Sequence, residues 1–303
     1  MEDMNVFDET TIKYSLMNKN IKVCDFIAVV DEYGDIYFDE ITRFGVMPFG
    51  FTDIQDYVEH RRAPKTREHI RQLLTLCNCN SLINFLDITL ALSLNDSYWV
   101  KRSNSKLVWE DVSLYRHKFN DIIAYIAFDG QGFSQSTSSP EFTTNGISAK
   151  CWHRYEDIYL CKRGSEKSFE VISEYYASQL FSAFCKDSVN YRLNYLHNNV
   201  VSECKLFTSE EIGFVPCSKV LSGKTSIKEY LEFYKKFSDG EDFFRRMLIA
   251  DAIVLNVDRH KGNFGFMIDN CTQELIKPAP VFDFNRCLLY DTEIISEDYF
   301  SII

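Results

Sequence analysis

Long apolar runs are missing from this chain. No stretch of about 18 apolar residues occurs, so no transmembrane helix is expected. Positive charge is also scarce: Lys and Arg number 33 against 44 Asp and Glu, a formal net charge of −11. Non-specific nucleic-acid binding rests on neutralising phosphates with Lys and Arg, so direct nucleic-acid binding is not expected. One small basic cluster, Arg61-Arg62 with Lys65 and Arg67, reads as a solvated helix face. The N-terminus is polar and acidic, without the apolar core of a secretory signal. A cytoplasmic protein with its ten cysteines reduced is therefore expected. The cysteines lack a repeating spacing, and Cys77-x-Cys79 lacks the two further ligands of a zinc site. Internal repeats are absent as well.

The chain does have ample core material. Of its 303 residues 46% are hydrophobic, and 25 Phe with 17 Tyr point to large aromatic cores. This length allows one large domain or two modest ones. Residues Ile21 to Phe38 alternate like a hairpin around a Gly34 turn. Asp53 to Asn78 reads as helix interrupted at Pro64, and Leu82 to Leu94 as helix or strand. Ser97 to Lys101 and Leu107 to Trp109 read as extended pieces, and Asn120 to Phe128 as a short helix. Asp129 to Asn145, rich in Gly, Ser and Thr, reads as a linker and domain boundary.

Beyond it, Ala149 to Trp152 and Asp157 to Lys162 read as strands, followed by a helix over Phe169 to Phe184. Val171, Tyr175, Leu180 and Phe184 are the expected inner side of that helix. Val200 to Phe207 and Ile212 to Val215 have strand character, and Ser226 to Phe237 is helical. Ser238-Asp239-Gly240-Glu241 has the Ser-x-x-Glu capping form and opens the next helix. A hairpin is expected over Phe264 to Lys277.

The chemistry concentrates at the end of that last helix. Asp258 is followed by Asn263 five positions later, and Asp283 closes the apolar run Pro280-Val281-Phe282. Kinase-type phosphoryl transfer uses this spacing. One Asp orients the attacking hydroxyl, while an Asn and a later Asp hold Mg²⁺ against the phosphates of ATP. Mg²⁺ takes oxygen ligands and keeps several waters, so one carboxylate and one amide suffice. Arg259 and His260 are assigned to bracing the loop. The phosphate-contacting cation is expected at Lys162, which ends an apolar strand, with Glu174 on the next helix as its ion-pair partner. Thr144, Asn145 and Gly146 precede the first strand and are candidates to cover the phosphates with backbone N–H groups, although repeated glycines are absent there.

Each residue also has a plainer reading. Asp258 or His260 alone fits a helix cap, Lys162 alone a surface lysine, and Glu174 alone a solvated helix glutamate. Asn263 and Asp283 together turn the balance toward phosphoryl transfer. Ser222-Gly223-Lys224-Thr225 resembles the end of a P-loop, but Ser218 stands where that motif requires Gly.

The run Asn256-Val257-Asp258-Arg259-His260-Lys261-Gly262-Asn263, then Pro280-Val281-Phe282-Asp283, resembles the catalytic loop and metal motif of HipA-like serine/threonine kinases. Phosphatidylinositol-type kinases share a similar Asp-Arg-His-x-x-Asn loop. The stretch from Ser139 through Lys162 to Ser178 is similar to the N-lobe of HipA-domain proteins. The resemblance implies an α+β, two-lobed, protein-kinase-like fold with an N-terminal α/β extension. It further implies that Asp258 is the catalytic Asp, that Asn263 and Asp283 bind the metal, and that Lys162 contacts phosphate. ATP and Mg²⁺ are the implied cofactors. A protein substrate and a small DNA-binding antitoxin-like protein are the implied partners.

The corresponding expected division is an extension at 1–128, an N-lobe at 129–207 and a C-lobe at 208–303, with a compact or truncated C-lobe expected because few residues follow Asp283. A catalytically inactive module that binds a protein partner, and a lipid or small-molecule kinase, stand as the alternatives. Ser134, Ser136, Ser138 and Ser139 are candidate autophosphorylation sites in a segment that also reads as a plain linker.

Overall fold

The structure, a computed structural model, describes residues 11–31, 33–133, 136–164, 169–223 and 225–288. The chain divides into two compact units. The first comprises Met1–Ile147, Thr208–Gly213 and Ile268–Glu274, and the second Ser148–Phe207, Phe214–Met267 and Leu275–Ile303.

In the first unit, β1 (Thr11–Asn18), β2 (Ile21–Val30) and β3 (Ile36–Arg43) form an antiparallel meander. The hairpin expected between β2 and β3 is present. Gly34 supplies the positive φ of its turn, and the Asp31 carboxylate accepts from the Asp35 N–H. Helices α1 (Ile54–Arg61), α2 (Ile70–Leu76) and α3 (Leu82–Thr89) follow. The Asp53 and Ser81 side chains cap α1 and α3, each accepting from a backbone N–H of the first turn. Strand β4 (Tyr98–Arg102) then pairs with β1, giving the order β3-β2-β1-β4. Helices α4 (Trp109–Val112) and α5 (Asp121–Asp129) come next, with Asn120 capping α5.

Alternate residues of the strands meet the helices in one core. Tyr14 stacks on Phe26, which meets Phe38 edge-on, and Tyr57, Leu73, Phe85 and Ile123 close over them.

Three expectations change here. Trp109 opens a helix rather than ending a strand; its indole N–H bonds to the Glu210 carboxylate. Arg61 and Arg67 are buried while Lys65 is exposed, so the basic cluster is not one solvated face. The polar stretch after α5 is not a free linker. Pro140–Thr143 form a buried 3-10 turn in which Phe142 joins the core and the Thr143 hydroxyl donates to the Leu92 carbonyl. Ser139 is buried with its hydroxyl on Glu141, whereas Ser136 is exposed; Ser134 lies outside the described residues.

The second unit holds a four-stranded antiparallel sheet. Its strands are β5 (Lys150–Arg154), β6 (Ile158–Arg163), β7 (Tyr191–Leu196) and β8 (Asn199–Lys205), in the order β5-β6-β8-β7. Helix α6 (Phe169–Phe184) packs on β7 and β8. Its buried side carries Val171, Ser173, Glu174, Ala177, Ser178 and Phe181. Leu180 and Phe184, expected inside, are exposed. This helix is apolar on more than one side, so periodicity alone admits two inward faces.

Strand β9 (Ile212–Pro216) and the short helix α7 (Cys217–Val220) lead to α8 (Ile227–Tyr234) and α9 (Gly240–Ile253). A capping box joins Ser226 and Glu229 at the start of α8. The one expected at Ser238 is absent: α9 begins after Asp239, which has φ 54° and makes no side-chain cap. Gly240 is required there, since a Cβ would lie 2.1 Å from the Tyr234 carbonyl oxygen. Strands β10 (Gly265–Asp269) and β11 (Leu275–Pro278) form the expected hairpin, in a sheet ordered β11-β10-β9. Tyr230, Tyr234, Phe244, Phe264 and Phe266 build an aromatic core between α8, α9 and this hairpin, with ring centroids 4.8–6.3 Å apart.

Candidate functional site

The site is built on α6, β6, the loop after α9 and the turn after β11, all in the second unit. Strand β6 carries Lys162 on the face that meets α6. Its ammonium lies 2.6 Å from Glu174 Oε1 and 2.8 Å from Asp283 Oδ1. Glu174 is fully buried and Lys162 is 6% exposed, while the Asp283 side chain keeps 25% of its surface. The Ser202 hydroxyl on β8 donates to the second Glu174 oxygen at 2.5 Å, which fixes that carboxylate.

The charges act on one another. Burial alone would lower the Lys162 pKa, but the Asp283 and Glu174 carboxylates outweigh it and hold the ammonium well above its usual range. Burial alone would raise Asp283. Lys162, then Lys150 and Arg259, reverse this and bring it down to about 2. Both groups are therefore charged at neutral pH.

Asp283 sits in the left-handed region, φ 66°. Before it, Val281 is tied on both sides to the 187–189 segment: its N–H donates to the Asp187 carbonyl, and its carbonyl accepts from the Val189 N–H. After it, the Phe284 ring packs against Phe181 and Tyr191. The turn is thus pinned before and after the carboxylate.

The loop after α9 is fixed by one guanidinium. Arg259 pairs with both oxygens of Asp251 on α9, at 2.9 and 3.0 Å. Its Nη1 donates to the carbonyls of Asn263 and Phe282, both at 2.7 Å. Arg259 therefore ties the loop bearing Asp258 and Asn263 to the residue just before Asp283. The expected bracing role of Arg259 is realised, and the fork geometry of Arg explains why this residue type serves it. His260 braces less, its Nδ1 accepting from the Gly262 N–H. Lys261 turns away and donates to the Leu221 and Gly223 carbonyls and the Thr225 hydroxyl.

Asn263 is buried and donates its side-chain N–H to the Asp258 carbonyl at 3.0 Å, so its amide oxygen is the atom that could serve a cation. The Asp258 side chain is 35% exposed, with Arg286 Nε 3.9 Å from its carboxylate. The Asn263 amide oxygen and the partly exposed Asp283 carboxylate are hard donors of the kind that fit Mg²⁺. Among the described residues no three His, Cys, Asp or Glu side chains form a metal cage. A cation held here would complete its shell with water and ligand oxygens.

The structure thus brings Lys162, Glu174 and Asp283 into contact, and Asp258 and Asn263 into one braced loop. Thr144, Asn145 and Gly146 fall in the first unit, after the 3-10 turn, where the Thr144 hydroxyl donates to the Pro140 carbonyl. Three contributors escape sequence reading. Lys150 stands opposite Lys162 in the β5–β6 register and adds to the field on Asp283. Ser202 and Tyr191 reach the site from β8 and β7. The alternation of Tyr191, Leu193 and Tyr195 is the signal that could have revealed β7.

No family model matches the chain. A stretch of 130 residues is 28% identical to the serine/threonine-protein kinase CtkA of Helicobacter pylori, taking in 38% of this chain and 40% of that kinase. The crystal structure of the Helicobacter pylori proinflammatory kinase CtkA aligns with a TM-score of 0.45 and 24% identity, over 52% of this chain and 60% of that one. The Shewanella oneidensis HipA, solved in a toxin–antitoxin complex with HipB and operator DNA, aligns with a TM-score of 0.53 and 9% identity. That alignment spans 89% of this chain and 75% of the other. Among the described residues, no helix is long and apolar enough to cross a membrane.

Proposed function

We propose that this chain, which has the HipA-like kinase fold and shares sequence with a serine/threonine kinase, transfers the γ-phosphate of ATP to a serine or threonine of a protein. The reading is carried by one arrangement: Lys162 joins Glu174 of α6 to Asp283, and Arg259 ties the Asp258–Asn263 loop to the residue before Asp283. In this reading Lys162 steadies the nucleotide phosphates while Glu174 keeps its ammonium aimed. Asn263 and Asp283 would hold Mg²⁺, which when bound would supply charge neutralisation at the phosphates. Asp258 orients the acceptor hydroxyl and takes its proton. The phosphate roles of Thr144, Asn145 and Gly146 rest on their place in the sequence.

The partners under this reading are a protein substrate and a small DNA-binding antitoxin-like protein. The second is suggested by the complex named for the Shewanella HipA.

Incubating the purified protein with γ-labelled ATP and Mg²⁺ tests the reading. Phosphoserine or phosphothreonine is expected on the protein itself or on a protein of a cell lysate. Asp258→Ala and Asp283→Ala should each lower transfer by about 10³-fold with unchanged circular dichroism. Absence of label from every protein sinks the proposal.

A further inference from the structure

Tyr191 opens β7 and is buried, yet it touches three parts of the site. Its hydroxyl accepts the Asp283 N–H at 3.2 Å. Its ring lies 5.3 Å from the Lys162 ammonium and meets Phe284 edge-on at 6.0 Å. The Tyr191 backbone is itself held by α6: its N–H reaches the Ser178 hydroxyl, and its carbonyl accepts from the Gln179 side chain. On its other side it pairs with Cys204 of β8.

Asp283 needs such a fixture. Asp enters the left-handed region more readily than most non-glycine residues, but still at a cost that its surroundings must meet. The neighbouring Val281 amide is held by a main-chain carbonyl, whereas the Asp283 amide is held by a side chain. Rotation of that peptide would swing the carboxylate away from Lys162. The phenol holds the N–H end of that peptide, while Arg259 holds its carbonyl end at Phe282.

We infer that Tyr191 is a positioning residue, whose hydroxyl fixes the backbone of Asp283 so that its carboxylate is presented to the metal of a bound nucleotide. The inference rests on the kinase reading for the identity of the ligand, though not for the hydrogen bond. Tyr191 touches neither nucleotide nor metal in this role. It acts through Asp283, and its ring separately supports Lys162.

Two measurements test it. Amide hydrogen exchange on the unaltered protein should show Asp283 protected, and Tyr191→Phe should speed its exchange about 10-fold while Val281 stays protected. Thermal-shift titration of Mg²⁺ at fixed ATP should show the half-saturating Mg²⁺ rising roughly 2- to 10-fold in Tyr191→Phe. The melting temperature without ligand should change little, because the ring packing is retained.

The inference is overturned if the unaltered Asp283 amide exchanges like an exposed one, a result that needs no variant. An unchanged Mg²⁺ requirement in a folded Tyr191→Phe overturns it equally. If the unaltered protein binds Mg-ATP but transfers no phosphate, the kinase reading fails while Tyr191 keeps its role. If it binds no Mg-ATP, both fall.

Discussion

Arg61 in the first unit and Lys162 in the second are both buried cations held by carboxylates, and their bonding differs. Arg61 pairs with both oxygens of Asp96, at 2.6 Å each, and donates to the Ala91 and Tyr98 carbonyls. Protein atoms take four of its five N–H groups. Lys162 has three N–H groups, and the described residues take two, through Glu174 and Asp283. One of those carboxylates is partly open to solvent. A planar guanidinium closed by its own chain is a structural joint. A point charge shared between a sealed acid and an open one suits the phosphate-contacting role proposed for Lys162, because a ligand could enter without breaking the sealed pair.

The comparison can be tested from its stronger side first. Arg61→Ala leaves Asp96 without its buried partner and should cost about 3–5 kcal/mol in urea unfolding of the first unit. A cost under about 1 kcal/mol would mean the joint is no more than a surface pair.

A smaller effect belongs to Asp283. Its folded pKa of about 2 lies below the ordinary 3.8, so its pairing stabilises the fold above pH 4. That contribution should fade as pH falls from about 4 toward 2 and amount to about 2 kcal/mol at most. Stability measured against pH should lose this slope in Asp283→Asn; an unchanged slope assigns it to other acids. The smallest effect serves as the baseline. Arg246 and Asp242 form an exposed i, i+4 pair on α9, and Arg246→Ala should leave the urea midpoint unmoved.

The polar loop and Asp283 were legible in the sequence because their chemistry is local: an apolar helix, a run of polar residues, then an apolar strand ending in Asp. Lys162 and Glu174 were legible because a strand and the next helix place them on facing sides. Tyr191, Ser202 and Lys150 were not, since their roles depend on strand register and on packing between segments distant in the chain. The same limit explains the misplaced faces. Polar content suggested a linker near Ser139 and Thr143, yet their hydroxyls find buried partners. Arg61 looked solvated because nothing nearby in sequence announces Asp96, 35 positions away.

Arg259 has a consequence in entropy. Four directed bonds from one rigid plane immobilise the end of α9, the loop at Asn263 and the chain at Phe282 together. The conformational freedom of those segments is surrendered once, when the chain folds. Little of it remains to be lost when a ligand arrives, so the free energy of that encounter can go into holding the ligand rather than into ordering the loop.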